Sequence, residues 1–173
     1  MILTSNRIYM RPYETKDEDF LYSMLANREV VQYIGDGRIK NQDEKTKFME
    51  WIYHTYMKDP RLGLHVLVRK ADNLRVGHAG LVQQIIDQVE ELEVGYWIDR
   101  PFWGMGYATE AASALVEYGW FELKKSRLIS LIQTDNNNSR NVAKKVGMVK
   151  ENVRKMGERD VEIYSITRKK EME

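Results

Sequence analysis

The stretch that most limits what this chain can become runs from Glu91 to Phe121. Residues 91–98 (ELEVGYWI) alternate in the strand manner. They enter a turn holding Pro101, Gly104 and Gly106, and Gly104 to Phe121 then reads as an amphipathic helix. Ala108, Ala111, Ala112, Leu115 and Val116 form its inner stripe. Two glycines allow positive φ and close backbone approach at the point where strand becomes helix. The unpaired amides of a first helical turn, with the positive end of the dipole, make a cradle for phosphate.

The remaining periodicity supplies a sheet for this helix to pack on. Residues 6–11 read as a strand stopped by Pro12, and Thr15 with Glu18 has the spacing of a capping box before a helix bearing Phe20, Leu21, Met24 and Leu25. Asn41 with Glu44 repeats that signature before a helix carrying Phe48, Trp51, Ile52 and Tyr56. Strands follow at 63–69 and 75–86, with turns at Ala71-Asp72-Asn73 and Asp87-Gln88. Residues 127–134 are apolar almost throughout, which predicts burial on both faces. Asn138 or Ser139 caps a short helix ending at Gly147, and strands at about 148–156 and 159–167 precede a charged tail over 168–173. The order predicts an α+β fold, a mixed and mostly antiparallel sheet of about seven strands flanked by about four helices.

With 173 residues, no internal repeat and no Gly/Ser-rich linker, residues 1–173 read as a single domain. Lys and Arg total 27 against 26 Asp and Glu, which gives no basic excess for a nucleic-acid partner. Cysteine is absent, which excludes disulfides, a thiolate nucleophile and cysteine-ligated zinc. The three histidines, His54, His65 and His78, lack the spacing of a metal site or a catalytic triad, so no metal is expected. There is no signal-peptide pattern at the N-terminus and no apolar run long enough for a bilayer, so the expectation is a cytoplasmic protein with no membrane partner.

Counting from Gly104, a dinucleotide fingerprint would need a third glycine or alanine where Thr109 stands, and no P-loop string occurs. The turn instead resembles the pyrophosphate loop of the GCN5-related N-acetyltransferase (GNAT) superfamily, Q/R-x-x-G-x-G/A, with the matching run at Trp103-Gly-Met-Gly106-Tyr-Ala108. Trp103 in place of Gln or Arg is similar to the ribosomal-protein alanine/serine N-acetyltransferase branch, whose G-Y-W-x-x-x-x-x-W-G-x-G-Y-A-T-E-A pattern residues 95–111 follow throughout. Downstream, Asn136 to Met148 resembles the family's N-x-x-S-x-x-V-x-x-K-x-G-F.

This resemblance implies acetyl-CoA as co-substrate. Its pyrophosphate is expected on the amides of Gly104, Met105, Gly106, Tyr107, Ala108 and Thr109, beside Trp103. Its pantetheine is expected along Tyr96, Trp97 and Ile98, with a hydrogen bond from Asn136. Direct transfer of the acetyl group to an amine in a ternary complex is the implied chemistry. Glu93, on the strand face it shares with Gly95 and Trp97, is the candidate base, and Gly95 invites a bulge that re-aims it. An α-amine, with pKa about 7.7–8.0, asks less of that base than a lysine amine at about 10.4.

Ser139 is the candidate acid for the thiolate, since the tyrosine that many relatives carry is replaced by Ala143. The branch resemblance implies a protein N-terminal α-amine as acceptor. Polyamines, which an acidic strip of Asp87, Glu90, Glu91 and Glu93 would suit, remain open, as do aminoglycosides and amino-acid-like amines. A non-catalytic acetyl-CoA sensor is the alternative of a different class, and the resemblance also allows a homodimer.

Overall fold

The computed structural model describes residues 2–169; Met1 and residues 170–173 of the expected tail lie outside the described residues. One open sheet of eight strands runs in the order β1-β2-β3-β4-β5-β6-β8-β7. Its strands are β1 (Leu3–Thr4), β2 (Ile8–Arg11), β3 (Gly63–Arg69), β4 (Arg75–Ile86), β5 (Val89–Ile98), β6 (Arg127–Gln133), β7 (Val149–Met156) and β8 (Arg159–Thr167). All neighbours pair antiparallel except β5 and β6, which run parallel.

Among the described residues five helices cover the sheet: α1 (Glu18–Leu25), α2 (Arg28–Val31), α3 (Gln42–Lys58), α4 (Tyr107–Phe121) and α5 (Asn137–Val146). The predicted fold class holds, with one more strand and one more helix than the periodicity suggested. Both additions, β1 and α2, are too short to show a period. α2 exists because the Asn27 side chain accepts from the Glu29 amide and supplies an N-cap.

Two apolar layers flank the sheet. On one side α4 and α5 bury Tyr107, Ala111, Leu115, Val116 and Ala143 against Leu67, Leu81, Val94, Leu128 and Tyr164. On the other, α1 to α3 bury Phe20, Leu21, Met24, Met49 and Ile52 against Val66 and Val68. Each of these large side chains, taken out of water, contributes about 1.5–3 kcal/mol. Alternation along β3 sends Leu67 to one layer and Val66 and Val68 to the other, so this strand is buried on both faces.

Local signals in the sequence hold with small shifts. The Asn41–Glu44 capping box is present, whereas the first box is formed by Glu14 and Asp17, one residue before the expected Thr15 and Glu18. The tail does not begin free in solvent at 168. The Arg168 amide donates to the Ser126 carbonyl, and its guanidinium lies 4.7 Å from the centre of the Phe121 ring. No helix among the described residues is long and apolar enough to cross a membrane.

Candidate active site

β5 is the hinge of the site. Its pairing with β4 is unbroken from Gly77 opposite Ile98 to Ile86 opposite Val89, so the bulge expected at Gly95 is absent from that side. The opening lies on the other side, where β5 meets β6 only at Glu93 opposite Ile129. Beyond that pair the two strands part.

Backbone groups line the gap. The Asp99 amide bonds the Val76 carbonyl, so by strand alternation residues 93, 95 and 97 turn their amides and carbonyls to β4. Val94, Tyr96 and Ile98 turn theirs toward the gap. The Val94 carbonyl accepts from Ser130 Oγ at 3.0 Å and the Ile98 carbonyl from the Trp103 indole at 2.6 Å. The Tyr96 amide and carbonyl and the Ile98 amide are left facing the space where another extended chain would pair.

The glycine turn sits at the end of this gap. Asp99 caps a short 3-10 turn over Arg100–Phe102, with Pro101 in its first positions, where a missing N–H costs nothing. Trp103 is held between its bond to Ile98 and the Arg100 guanidinium, 4.7 Å from its ring centre. Gly104 and Gly106 both have positive φ, +76° and +82°. Gly106 is the N-cap of α4 and has no side chain to satisfy the first-turn amides, so those of Tyr107, Ala108 and Thr109 remain free for an anion.

These elements enclose a first cleft of about 510 Å³. Its wall holds Tyr96, Trp97, Ile98, Trp103, Gly104, Gly106, Tyr107, Ala108, Thr109, Asn136 and Ser139. The structure therefore brings together all the residues expected at the donor except Met105. The Met105 side chain is about half exposed away from the cleft, and its carbonyl accepts from Arg7. Asn136 is the N-cap of α5, its side chain accepting from the Ser139 amide at 3.1 Å, so neither Asn138 nor Ser139 is the cap. Ser139 is half-buried in the first turn of α5, and its carbonyl accepts from Tyr96 Oη at 3.2 Å. Burial pushes the Tyr96 phenol well up, so it stays protonated and remains a donor.

Glu93 is absent from the first cleft and lines a second, of about 480 Å³. That cleft is walled by Tyr33, Phe48, Trp51, Leu64, Trp97, Leu131 and Val161, with Gln84, Glu93, Gln133 and Arg159 as its polar groups. Tyr33, Ile34 and Trp97 belong to both clefts, so the two spaces adjoin beside β5. Gln84 Nε2 donates to Glu93 Oε2 at 2.6 Å. Burial raises the Glu93 carboxyl above the ordinary carboxylate range, opposed by the bonds from Gln84 and the Leu131 amide.

Half of the acidic strip expected beside Glu93 is paired with arginines. Asp87 pairs with Arg154 at 3.0 Å, and Glu91 with Arg127 at 3.0 Å. His65 and His78 are fully buried, and His54 is exposed. His78 Nδ1 lies 2.7 Å from Tyr13 Oη and its ring is 4.4 Å from that of Trp97, so it backs the aromatic wall without reaching either cleft.

Sequence reasoning missed Tyr33 and Ile34, Gln84, Arg159 and the Arg7 contact. None carried a local pattern, since each reaches the site through tertiary contact.

Comparison with known proteins places the fold in a family. Residues 7–149 match the family described as the acetyltransferase (GNAT) domain. The chain is 30% identical over 151 residues to the uncharacterized N-acetyltransferase YnaD of Bacillus subtilis (strain 168), covering 87% of this chain and 84% of that one. Among solved structures, a GNAT-family acetyltransferase from Bacillus anthracis superposes with a TM-score of 0.80 at 25% identity, over 96% of this chain and 98% of that one. The ribosomal α-N-protein acetyltransferase RimL, solved in complex with coenzyme A, shares the fold with a TM-score of 0.77 at 18% identity, over 96% and 97% of the two chains.

Proposed function

This chain belongs to the GNAT acetyltransferase family and is an acetyl-CoA-dependent N-acetyltransferase, and on that premise we propose which groups carry the reaction and which amine receives the acetyl group. The donor's pyrophosphate lies on the free amides of Tyr107 to Thr109 and on the backbone of Gly104 to Gly106. Its pantetheine pairs with the Tyr96 and Ile98 backbone in the gap beside β5, next to Asn136. The single observation behind this reading is that gap, which joins a cleft suited to an anion with a cleft carrying one carboxylate.

The acceptor amine enters from the second cleft and loses its proton to Glu93, directly or through water. Burial makes Glu93 a stronger base than an ordinary glutamate, and a neutral amine then attacks the thioester. Ser139 and the Tyr96 phenol stand on the donor side, where a proton is needed by the departing thiolate. A thiol of pKa about 8.5 leaves readily, so Ser139 as acid assists without being indispensable. The acceptor is an α-amine, first a protein N-terminus in the ribosomal-protein manner. The pairing of Asp87 and Glu91 with arginines weighs against a polyamine.

Residues 1–173 act as one domain in this reading, since the sheet takes strands from both ends of the chain. A cytoplasmic location accords with an acetyl-CoA donor. The test is release of CoA thiol, read with a thiol-reactive dye against N-terminal Ala, Ser and Thr peptides, spermidine, an aminoglycoside and free amino acids. Release with peptides supports the N-terminal reading, and release with small amines alone moves the acceptor to metabolites or drugs. Tight donor binding without release from any acceptor favours the sensor alternative.

A further inference from the structure

The second cleft differs from an open amine site in the distribution of its charges. Among the described residues, Glu93 is the one carboxylate in its wall, and Arg159 is the one cation. Arg159 Nη2 donates to the Asp36 carbonyl at 3.0 Å, which occupies one of the five donors of a guanidinium. Among the described residues no carboxylate lies within ion-pair distance of Arg159, which is exposed at the cleft. Between the two charges the wall is apolar and aromatic, with Phe48, Trp51, Trp97 and Leu131.

Strand geometry gives the spacing. Glu93 stands opposite Ile129 on β6, and Leu131, two residues along that strand, lines the same cleft. On β8, Val161 stands opposite Gln133, and Arg159 begins the strand two residues further out. The levels of Leu131 and Arg159 therefore differ by about 13 Å at roughly 3.3 Å per residue, and the arginine side chain spans part of that. This separation exceeds the few ångströms between the amine and carboxylate of a single α-amino acid.

We propose that the second cleft selects the N-terminal segment of an acidic peptide, with its α-amine at Glu93, an apolar side chain on the aromatic wall, and a carboxylate from the second or third residue on Arg159. The inference rests on the N-acetyltransferase reading above and adds the acceptor class. A polyamine fits poorly, because its second ammonium would meet Arg159 where it needs an anion. A free amino acid lacks the length to reach both ends of the cleft.

The test uses three C-terminally amidated peptides, Ala-Phe-Asp, Ala-Phe-Asn and Ala-Phe-Lys, with free phenylalanine and spermidine as the other arms. CoA release is followed with the wild-type chain and with Arg159→Gln, Arg159→Glu and Arg159→Lys. The expected result is a kcat/KM for the Asp peptide at least about tenfold above that for the Lys peptide, as one charge-assisted contact allows. The preference should collapse in Arg159→Gln, invert in Arg159→Glu and survive in Arg159→Lys.

Because Arg159 also holds the Asp36 loop, the KM for acetyl-CoA and the melting temperature are measured for each variant, and both should stay near wild type. Equal use of the Asp and Lys peptides overturns the proposal while leaving the transferase intact. So does a preference that persists in Arg159→Gln, or faster release with phenylalanine or spermidine. Silence with every acceptor, with acetyl-CoA binding seen by calorimetry, fails the transferase reading itself and the proposal with it.

Discussion

Arg7 Nε donates to Glu110 Oε2 at 2.7 Å across more than a hundred residues of sequence, while Arg7 Nη1 bonds the Met105 carbonyl at 3.0 Å. The same guanidinium lies 4.7 Å from the centre of the Tyr107 ring, and the Arg7 amide also donates to Glu110. One side chain on the N-terminal side of β2 thus ties the glycine turn to the first turn of α4. It also balances a carboxylate that would otherwise repel an anion at that helix end. Burial pushes the Glu110 carboxyl up, but the bonds from Arg7 and Ser5 outweigh it and hold the group ionised below the usual range.

Arg7→Ala should therefore weaken the donor more than the chemistry. Losing the balancing charge beside the pyrophosphate amides is worth about 1–2 kcal/mol, or roughly tenfold in the KM for acetyl-CoA. Turnover at saturating donor should change by less than about threefold. Adding Glu110→Gln should recover part of the loss by removing the repelling charge. A KM that stays at the wild-type value would show that Arg7 only packs the turn.

Glu93→Gln should lower kcat roughly a hundredfold, within the range for loss of a general base, with acetyl-CoA affinity unchanged. The pH profile carries the sharper evidence. A base works when ionised, and burial raises the Glu93 pKa, so activity should fall on acidification at a pH above the ordinary glutamate range. The limb should vanish in Glu93→Gln. An identical acid limb in wild type and variant would assign it to another group.

The glycine turn was legible in the sequence because its geometry is local. Positive φ at Gly104 and Gly106 is decided within a few residues, although α4 begins at Tyr107 and not at the expected Gly104, and the cap of α5 is Asn136 and not Asn138 or Ser139, because the Asn136 side chain reaches the Ser139 amide. The second cleft was less so. Strand alternation placed Glu93 on one face with Gly95 and Trp97, which line the same cleft, but Gln84, which bonds it, and Arg159 are ordinary strand residues until β4, β6 and β8 set their register. Tyr33 and Ile34 follow a helix of four residues, too short for periodicity to find. The gap beside β5 also comes from a missing ladder with β6, not from the Gly95 bulge that the sequence suggested.

The two buried histidines make stability depend on pH in a window of their own. Burial lowers the His78 pKa to about 3 and the His65 pKa to about 4, so both are neutral in the folded chain. The unfolded chain takes up those protons near pH 6.5, hence stability falls as pH drops below that value. Each histidine removes up to about 1.4 kcal/mol per pH unit once it is fully protonated in the unfolded chain, so the pair removes about 2 kcal/mol between pH 6.5 and 5.5. Paired carboxylates such as Glu151, held at about 2, lose their contribution only at lower pH. Urea midpoints at pH 7, 6 and 5 should show the decline, and His78→Gln should roughly halve its slope. A flat profile from pH 7 to 5 would mean that the histidines are hydrated in solution.

Two glycines in adjacent strands separate the demands of the fold from those of the cleft. Gly80 and Gly95 stand opposite each other across β4 and β5. A Cβ on Gly80 would come within 1.8 Å of the Gly63 carbonyl oxygen, a backbone atom that cannot move without unpairing β3. Gly80→Ala should therefore cost more than about 4 kcal/mol and yield little soluble protein. A Cβ on Gly95 would meet the Leu64 side chain at 3.8 Å, an ordinary contact, while projecting into the second cleft. Gly95→Ala should fold with a melting temperature near wild type and bind acetyl-CoA normally. It should raise the KM for the amine several-fold, because the added methyl stands beside Glu93 on the cleft face of β5. If the acceptor KM is unmoved while the fold is intact, the amine does not approach through this cleft, and Glu93 loses its position as the base that meets it.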